Sequence, residues 1–489
     1  MAVSWRAFAA RARAGAAGLR ARGIGPGDRV LVHARNSVAQ METLWACWHA
    51  GAVWVPTNFR LTPPEVAYLA ESSGAVAQLI DPAFPDHAVA VRNAAPGMRL
   101  TLWLAEQDAG TGKDTWQALA SGPADDAPAA AVGRDHPAWF FYTSGTTGRP
   151  KASVLTHGQL GFVVNNHLAD LIPGTTERDV SLVVAPLSHG AGIHALVQVP
   201  RGAATVLPVG ERLDCADVWA LVERHRVSNM FTVPTILNLL ARDPAVAAHD
   251  HSSLRYVIYA GAPMYRADQA FALEALGPVL VQYYGMGEVT GAITVLPPDW
   301  HSTDDARMPV GSCGFPRTGM EVAILDADGA ALAAGETGEI CVRGGAVHTG
   351  YWNNPEADAK AFAGGWFHTG DLGHIDPRGL VYITGRASDM YISGGSNVYP
   401  REIEEALLLH PAIAEACVVG LPHPKWGEAG VAVLVARDAV TGAELLAHLD
   451  GRLAKYKWPA RFVFWDALPK SGYGKVTKRE VRAKLAEDT

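Results

Sequence analysis

The chain has 489 residues, 49% of them apolar and 18% charged, with a formal net charge of −8. That length suits two or three units with extensive shared cores, and the composition is globular rather than disordered. The acidic balance excludes the broad basic field of a nucleic-acid binder, and no apolar run approaches the ~18 residues that suggest a membrane span.

From Met1 to Gly27 there is no acidic residue, and arginines recur, as in a transit peptide. However, Trp5, Phe8, Ala12, Ala16 and Leu19 fall at spacings of three and four, which predicts one face of a helix. Val30–His33 then reads as a strand, Val38–Ala50 as a helix and Val53–Val55 as a strand. Thr62 caps a helix opening on Pro63, and Val76–Ile80 is the next strand. The same rhythm runs through 181–185, 204–207, 229–232, 255–260 and 279–284, which predicts parallel sheets flanked by helices, an α/β class. A stretch rich in Ala, Asp, Gly and Pro at 121–136 reads as a loop.

From about 310 the pattern shifts to short runs split by Gly, Asp and Pro: 321–326, 339–343, 366–369 and 380–384. These predict a small antiparallel barrel or sheet over 310–384. After Gly385-Arg386 comes a final α+β unit, with helices near 400–410 and 442–455 and strands between. The expected organisation is an N-terminal domain of 1–385 and a smaller, mobile C-terminal domain of 386–489. Cys47, Cys215, Cys313, Cys341 and Cys417 are scattered and never in C-x-x-C spacing, so small buried side chains in a reducing, cytoplasmic setting are expected.

The strongest chemical signal is the run Tyr142-Thr143-Ser144-Gly145-Thr146-Thr147-Gly148-Arg149-Pro150-Lys151. An apolar strand, Ala138 to Tyr142, delivers hydroxyls, glycines and a lysine within one short segment. Glycines let backbone N–H groups approach an anion, hydroxyls add donors, and the lysine adds charge. The run is not a Walker A loop, and the chain contains neither G-x-S-x-G nor H-E-x-x-H.

This run resembles the phosphate-binding loop of the acyl-CoA synthetase, luciferase and non-ribosomal adenylation-domain superfamily. Further segments resemble that family's motifs, in its order: Tyr283-Tyr284-Gly285-Met286-Gly287-Glu288, Trp366–Asp371, Gly385–Asp389 with Gly395–Pro400, and Pro469–Lys475. The resemblance covers nearly the whole chain. It implies ATP-dependent activation of a carboxylic acid as its acyl-AMP, then transfer to coenzyme A.

The resemblance also implies roles. Lys151, Thr143, Ser144, Gly145, Thr146, Thr147 and Gly148 would hold the β- and γ-phosphates. Glu288, with Thr143, would ligate Mg²⁺. Tyr283, Tyr284, Gly285, Gly261, Ala262 and Pro263 would surround the adenine, Asp371 the ribose hydroxyls, and Arg386 the ribose or α-phosphate. Lys475 would bridge carboxylate and α-phosphate, and related synthetases suggest control by a lysine acetyltransferase acting there. His189, Gly190, Ala260, Met286 and Val289 would border the acyl group, and Asp389 would be the hinge. Small-molecule acid, ATP and CoA are the expected partners, with monomer and homodimer both open.

CoA as acceptor is favoured by Asn397–Glu404 and Lys455-Tyr456-Lys457, which resemble stand-alone synthetases. An adenylating enzyme with another acceptor and a non-catalytic nucleotide-binding homologue are the alternatives. Segments 181–200, 259–265 and 281–300 contain no Lys or Arg, so a neutral-tailed aryl or short- to medium-chain monocarboxylate is expected. One departure stands out. The family's Y-G-x-T-E threonine is Gly287 here, which predicts a lost hydroxyl and open space at the α-phosphate.

Overall fold

The N-terminal periodicity becomes the helix Trp5–Ala21, capped by Ser4, whose hydroxyl accepts from the Ala7 N–H at 3.2 Å. It buries Phe8, Ala12, Ala16 and Leu19. Gly15 is required on this face, because a Cβ there would collide with the Trp116 indole. The computed structural model describes residues 2–105, 114–123, 128–143, 149–210, 212–262, 264–304, 306–309, 311–470 and 476–487.

The β-α-β rhythm builds two sheets. The first has six strands in the order Leu100–Trp103, Ala77–Ile80, Arg29–His33, Val53–Thr57, Pro137–Thr143, Lys151–Thr156. All neighbours are parallel except the last pair. The second carries the parallel strands Ala204–Val206, Val180–Val183, Asn229–Thr232, Tyr256–Tyr259 and Leu280–Tyr284 side by side. Both parallel sets read as apolar runs because both of their faces are covered.

The strands expected to form a barrel-like unit instead extend that second sheet. Thr294–Leu296 pairs antiparallel with Leu280–Tyr284. It is followed in order by Ser312–Pro316, Val381–Arg386, Trp366–Ile375, Gly338–Gly344 and Met320–Leu325, all antiparallel. No closure into a barrel is found among the described residues; the edge strand Met320–Leu325 pairs with Gly338–Gly344 alone. The short runs and glycine breaks are compatible with either arrangement, and only the pairing decides.

A third sheet of five strands uses Ser396–Val398, Tyr391–Ser393, Gly427–Ala436 and Ile413–His423, with Arg461–Phe464 parallel to Gly427–Ala436. The helices Pro400–Leu408 and Gly442–Leu449 stand where the sequence placed them; Trp116–Ala120 and Lys478–Glu487 are additional. No helix among the described residues is long and apolar enough to cross a membrane.

One apolar cluster ties the first sheet to the antiparallel extension. It joins Trp54, Trp139 and Phe141 to Ile340, Phe367 and Val381. Trp54 and Trp139 meet edge to face at 4.6 Å, a geometry favoured by the ring quadrupoles. That packing brings the carboxyl ends of Pro137–Thr143 and Leu280–Tyr284 together. In open α/β sheets such ends are where ligands bind.

Candidate active site

The strand Pro137–Thr143 buries Ala138 through Phe141 and ends on Thr143, which lies directly across from Lys151 in the antiparallel pair. The phosphate-loop residues between them, Ser144, Gly145, Thr146, Thr147 and Gly148, lie outside the described residues, as do Pro263 and Lys475. The hairpin register alone therefore delivers a hydroxyl and an ammonium to the same end of the sheet.

Glu288 sits on the short turn Gly287–Val289 and is 8% exposed. One carboxylate oxygen accepts both from the Thr143 hydroxyl at 2.8 Å and from the Tyr351 hydroxyl at 3.0 Å. Its backbone carbonyl accepts the His348 N–H at 2.7 Å. Burial and the neighbouring Glu288 carboxylate hold the Tyr351 hydroxyl protonated, well above the usual tyrosine range. The Lys151 ammonium lies over the Tyr351 ring, 5.2 Å from its centroid, within cation–π reach. Tyr351 is thus a member of this constellation that the motif reading missed. It bridges antiparallel to Ser153 just after Gly350, outside any of the recognised segments.

A second group forms on the second sheet. Asp371 and Arg386 are register partners on the paired strands Trp366–Ile375 and Val381–Arg386. One Asp371 oxygen accepts from the Tyr284 hydroxyl at 2.7 Å, and the other meets Arg386 Nε at 3.0 Å. The carboxylate is buried while the guanidinium is half-exposed. Burial, and then Asp371, raise the Tyr284 hydroxyl well above its ordinary value. Asp389 lies in the turn after Val381–Arg386, with its N–H donating to the Arg386 carbonyl at 3.0 Å.

The two tyrosines expected at the adenine part company. Adjacent strand residues face opposite ways. Tyr284 joins Asp371, whereas Tyr283 stacks on Phe231 at 5.9 Å on the other side of the sheet. Gly190 belongs with Tyr283: a Cβ there would come within 2.8 Å of Phe231 and 3.4 Å of the Tyr283 hydroxyl. His189 lies against Phe141, ring centroids 4.3 Å apart.

Of the other expected acyl neighbours, Met286 is half-buried and Ala260 is buried beyond Tyr256–Tyr259; Val289 is enclosed in the apolar core. Gly261 adopts φ +85°, a left-handed conformation that glycine takes at little cost, and is exposed beside the half-buried Ala262. Gly285 is closely packed, because a Cβ there would collide with the Gly291 backbone.

Two findings differ from the sequence reading. The space expected at Gly287 is filled. A Cβ there would come within 2.6 Å of both Phe141 and Thr143. Further, although the three pocket segments carry no Lys or Arg, a cation reaches their neighbourhood from elsewhere: Arg317 is 1% exposed, with its guanidinium 6.0 Å from the Tyr283 ring centroid.

The family described as "AMP-binding enzyme" matches residues 1–352, and "AMP-binding enzyme C-terminal domain" matches residues 402–475. A feruloyl-CoA synthase of Amycolatopsis sp is 40% identical over 474 residues, covering 96% of this chain and 91% of that protein. Among solved structures, ATP-bound MatB from Rhodopseudomonas palustris superposes with a TM-score of 0.88 at 31% identity, covering 98% of this chain and 92% of that one. The o-succinylbenzoate CoA synthetase of Bacillus subtilis, in complex with its acyl-adenylate intermediate, does so with a TM-score of 0.83 at 32% identity, covering 97% and 92%.

Proposed function

This chain belongs to the AMP-binding enzyme family, and from that premise we propose that it is an ATP-dependent carboxylic acid–CoA ligase working through an acyl-adenylate. The observation that carries the reading is the convergence of Thr143 and Lys151 from the first sheet with Glu288 after the strand Leu280–Tyr284 of the second, beside the Tyr284–Asp371–Arg386 group. A related synthetase holds an acyl-adenylate, and a related protein holds ATP, in the same fold.

The chemistry follows from charge. An acid carboxylate oxygen bonds to the α-phosphorus of ATP, and the bond to pyrophosphate breaks. Both reactants are anions, so catalysis is mainly electrostatic. Lys151 and Thr143 bind the phosphates. Asp371 accepts from the ribose hydroxyls, with Tyr284 and Arg386 fixing its orientation. Glu288 and Thr143 present oxygen atoms 2.8 Å apart, a donor set that suits a hard cation, and they would hold Mg²⁺, which supplies further neutralisation at the phosphates. In the second half-reaction the CoA thiol attacks the acyl carbon and AMP leaves.

The acid is a neutral-tailed aryl or short- to medium-chain monocarboxylate. His189 and Gly190, with Tyr283, border it on the face away from Asp371. The deciding measurement is AMP release from a panel of carboxylic acids, with and without CoA. Release that depends on both acid and CoA is expected. Release that ignores CoA points to another acceptor, and no release with any acid overturns the reading.

We further propose that residues 386–489 rotate about Asp389 between the half-reactions, carrying Lys475 to and from the α-phosphate. Lys475→Ala should lower pyrophosphate exchange by roughly 10²–10³ while still converting supplied acyl-AMP and CoA to thioester. Acetylation, by removing the same charge, would act alike. Asp389→Pro should do the reverse, keeping exchange but slowing thioester formation, since proline fixes φ and removes the N–H that bonds the Arg386 carbonyl. Equal loss of both half-reactions in either variant would remove the basis for a moving lysine.

A further inference from the structure

Arg317 is a buried cation with few bonds. Its side chain is sealed from solvent, and its nearest carboxylate is Asp170, 3.8 Å from Nε. That carboxylate is already engaged by the Thr318 N–H at 2.8 Å and the Thr318 hydroxyl at 2.7 Å. Nε of Arg317 has no hydrogen-bond partner among the described residues, and Nη1 reaches the Gly291 carbonyl only at 3.4 Å. A guanidinium carries five N–H donors, and burying one without partners is costly.

Its third contact is conflicted. Nη2 lies 3.0 Å from His167 Nδ1, yet the same nitrogen lies 3.0 Å from the Val163 carbonyl. A neutral imidazole nitrogen can accept from the guanidinium or donate to the carbonyl, not both.

The neighbouring imidazole leaves an acceptor over. His194 Nε2 sits 3.0 Å from Asn229 Oδ1, closer than the 3.4 Å to the Gln198 amide nitrogen; with the hydrogen on Nε2 shared with Asn229, Nδ1 keeps a lone pair that has no partner among the described residues. Burial lowers His194 to about 4 and holds His167 well below its ordinary value, with Arg317 adding to the latter. Both rings are therefore neutral near pH 7. Burial also lowers Arg317 to about 10, against the opposing pull of Asp170, so it stays charged. With Asp170 as counter-ion, the cluster's formal charges cancel.

The cluster lies behind the acyl side of the site. His194 is on the helix Gly190–Gln198, whose first residue lies against Tyr283. Arg317 lies over the Tyr283 ring at 6.0 Å. The Tyr283 hydroxyl itself makes no hydrogen bond among the described residues, and it is not one of the sealed polar atoms.

Building on the ligase reading above, we propose that Arg317, with His194 and Tyr283, forms a polar terminus of the acyl site. It recognises a neutral oxygen, a hydroxyl above all, on the end of the acid remote from its carboxylate. A hydroxyl accepts from the guanidinium and donates to the free acceptor, using both kinds of unmade bond. A second carboxylate would bring a net charge into a cluster that is already balanced. An ether could accept but not donate.

Matched acids test this: 4-hydroxycinnamate against cinnamate and 4-carboxycinnamate, and 6-hydroxyhexanoate against hexanoate, scored by kcat/KM for CoA-dependent AMP release. A site that hydrogen-bonds a substrate hydroxyl rejects the analogue lacking it strongly, so a preference of roughly 10² or more is expected in at least one pair. Arg317→Leu should bring that pair within about tenfold, leaving the parent acid and the KM for ATP little changed. The double variant Asp170→Asn/Arg317→Leu removes both charges and serves if the single variant does not fold; Arg317→Lys keeps the charge but loses the fork and should recover only part of the preference. The proposal is overturned if wild type uses parent and hydroxylated acids equally, if it prefers the dicarboxylate, or if Arg317→Leu lowers every acid alike. Those outcomes leave the ligase reading standing. Absence of AMP release with all acids would instead overturn the ligase reading itself.

Discussion

The two faces of the strand Leu280–Tyr284 are built differently. On the Tyr284 side the polar groups close on one another: Tyr284 and Arg386 on Asp371, Thr143 and Tyr351 on Glu288. On the Tyr283 side they do not. Arg317 Nε and His194 Nδ1 are buried without partners among the described residues, and His167 is asked to serve two neighbours with one nitrogen. On the function proposed above, the difference fits a division of labour in which the proposed nucleotide side is pre-organised for steps that never vary, and the proposed acyl side is completed by its own acid. Pre-organised donors lose nothing to rearrangement at the moment of reaction, while an incomplete polar wall discriminates among ligands.

The largest effect that could break this comparison is at Asp371. Asp371→Asn keeps the shape but removes the charge that Arg386 pairs with and the acceptor that two ribose hydroxyls would use. Hydrogen bonds to a charged group are worth ~1.5–3 kcal/mol each, so kcat/KM for ATP should fall on the order of 10²-fold or more. The KM for the acid should hardly move. A matching rise in acid KM would mean that the two faces are not independent.

Next in size is the pH dependence of stability on the Tyr283 side. His194 titrates near 6.5 when unfolded and at about 4 when folded. Between those values the unfolded chain binds more protons, so stability falls as pH drops from 6.5 toward 4, by about 1.4 kcal/mol per pH unit for this one group. His194→Asn should flatten the fall of melting temperature over pH 6.5–4.5, whatever it does to the absolute value at pH 7. An unchanged slope would show that this imidazole is not held neutral by its surroundings.

The pairing of Thr143 with Lys151 and of Asp371 with Arg386 follows from the sequence because strand register does the assembling. Thr143 faces Lys151 and Asp371 faces Arg386 as direct partners of paired strands, so short motifs bring these residues together. The parallel sheets were equally legible, since both faces are covered and the strands read as apolar runs. The acyl side has no such shorthand. His167 lies in the last turn of one helix, His194 sits within a second helix, and Arg317 follows a strand 150 positions after His167, and nothing local announces that they meet. Tyr351 escaped for the same reason. Period and glycine placement could not tell an open antiparallel extension from a barrel, because closure depends on which edges pair.

Gly287 lies where the two sides touch, and its substitution gives the smallest and sharpest test. The sequence reads the missing family threonine as a lost hydroxyl, worth ~1 kcal/mol if water replaces it, and as vacated space. The structure removes the second half of that reading. Phe141 and Thr143 both stand 2.6 Å from where a Cβ would be. Phe141 packs on His189, proposed above to border the acid, and the Thr143 hydroxyl donates to Glu288, proposed above to serve the nucleotide. Any larger residue must therefore displace one of them. Overpacking a filled site costs about 1–3 kcal/mol, so Gly287→Thr should lower the melting temperature and slow adenylation despite restoring the hydroxyl. Phe141→Ala in the same chain should return part of the stability by making room. The kinetic signature reports which neighbour yields: a raised KM for the acid alone means that Phe141 has moved against His189, and a raised KM for ATP alone means that Thr143 has been pushed off Glu288. Faster adenylation in Gly287→Thr, at unchanged stability, would show that the steric account is wrong and that the hydroxyl was simply lost.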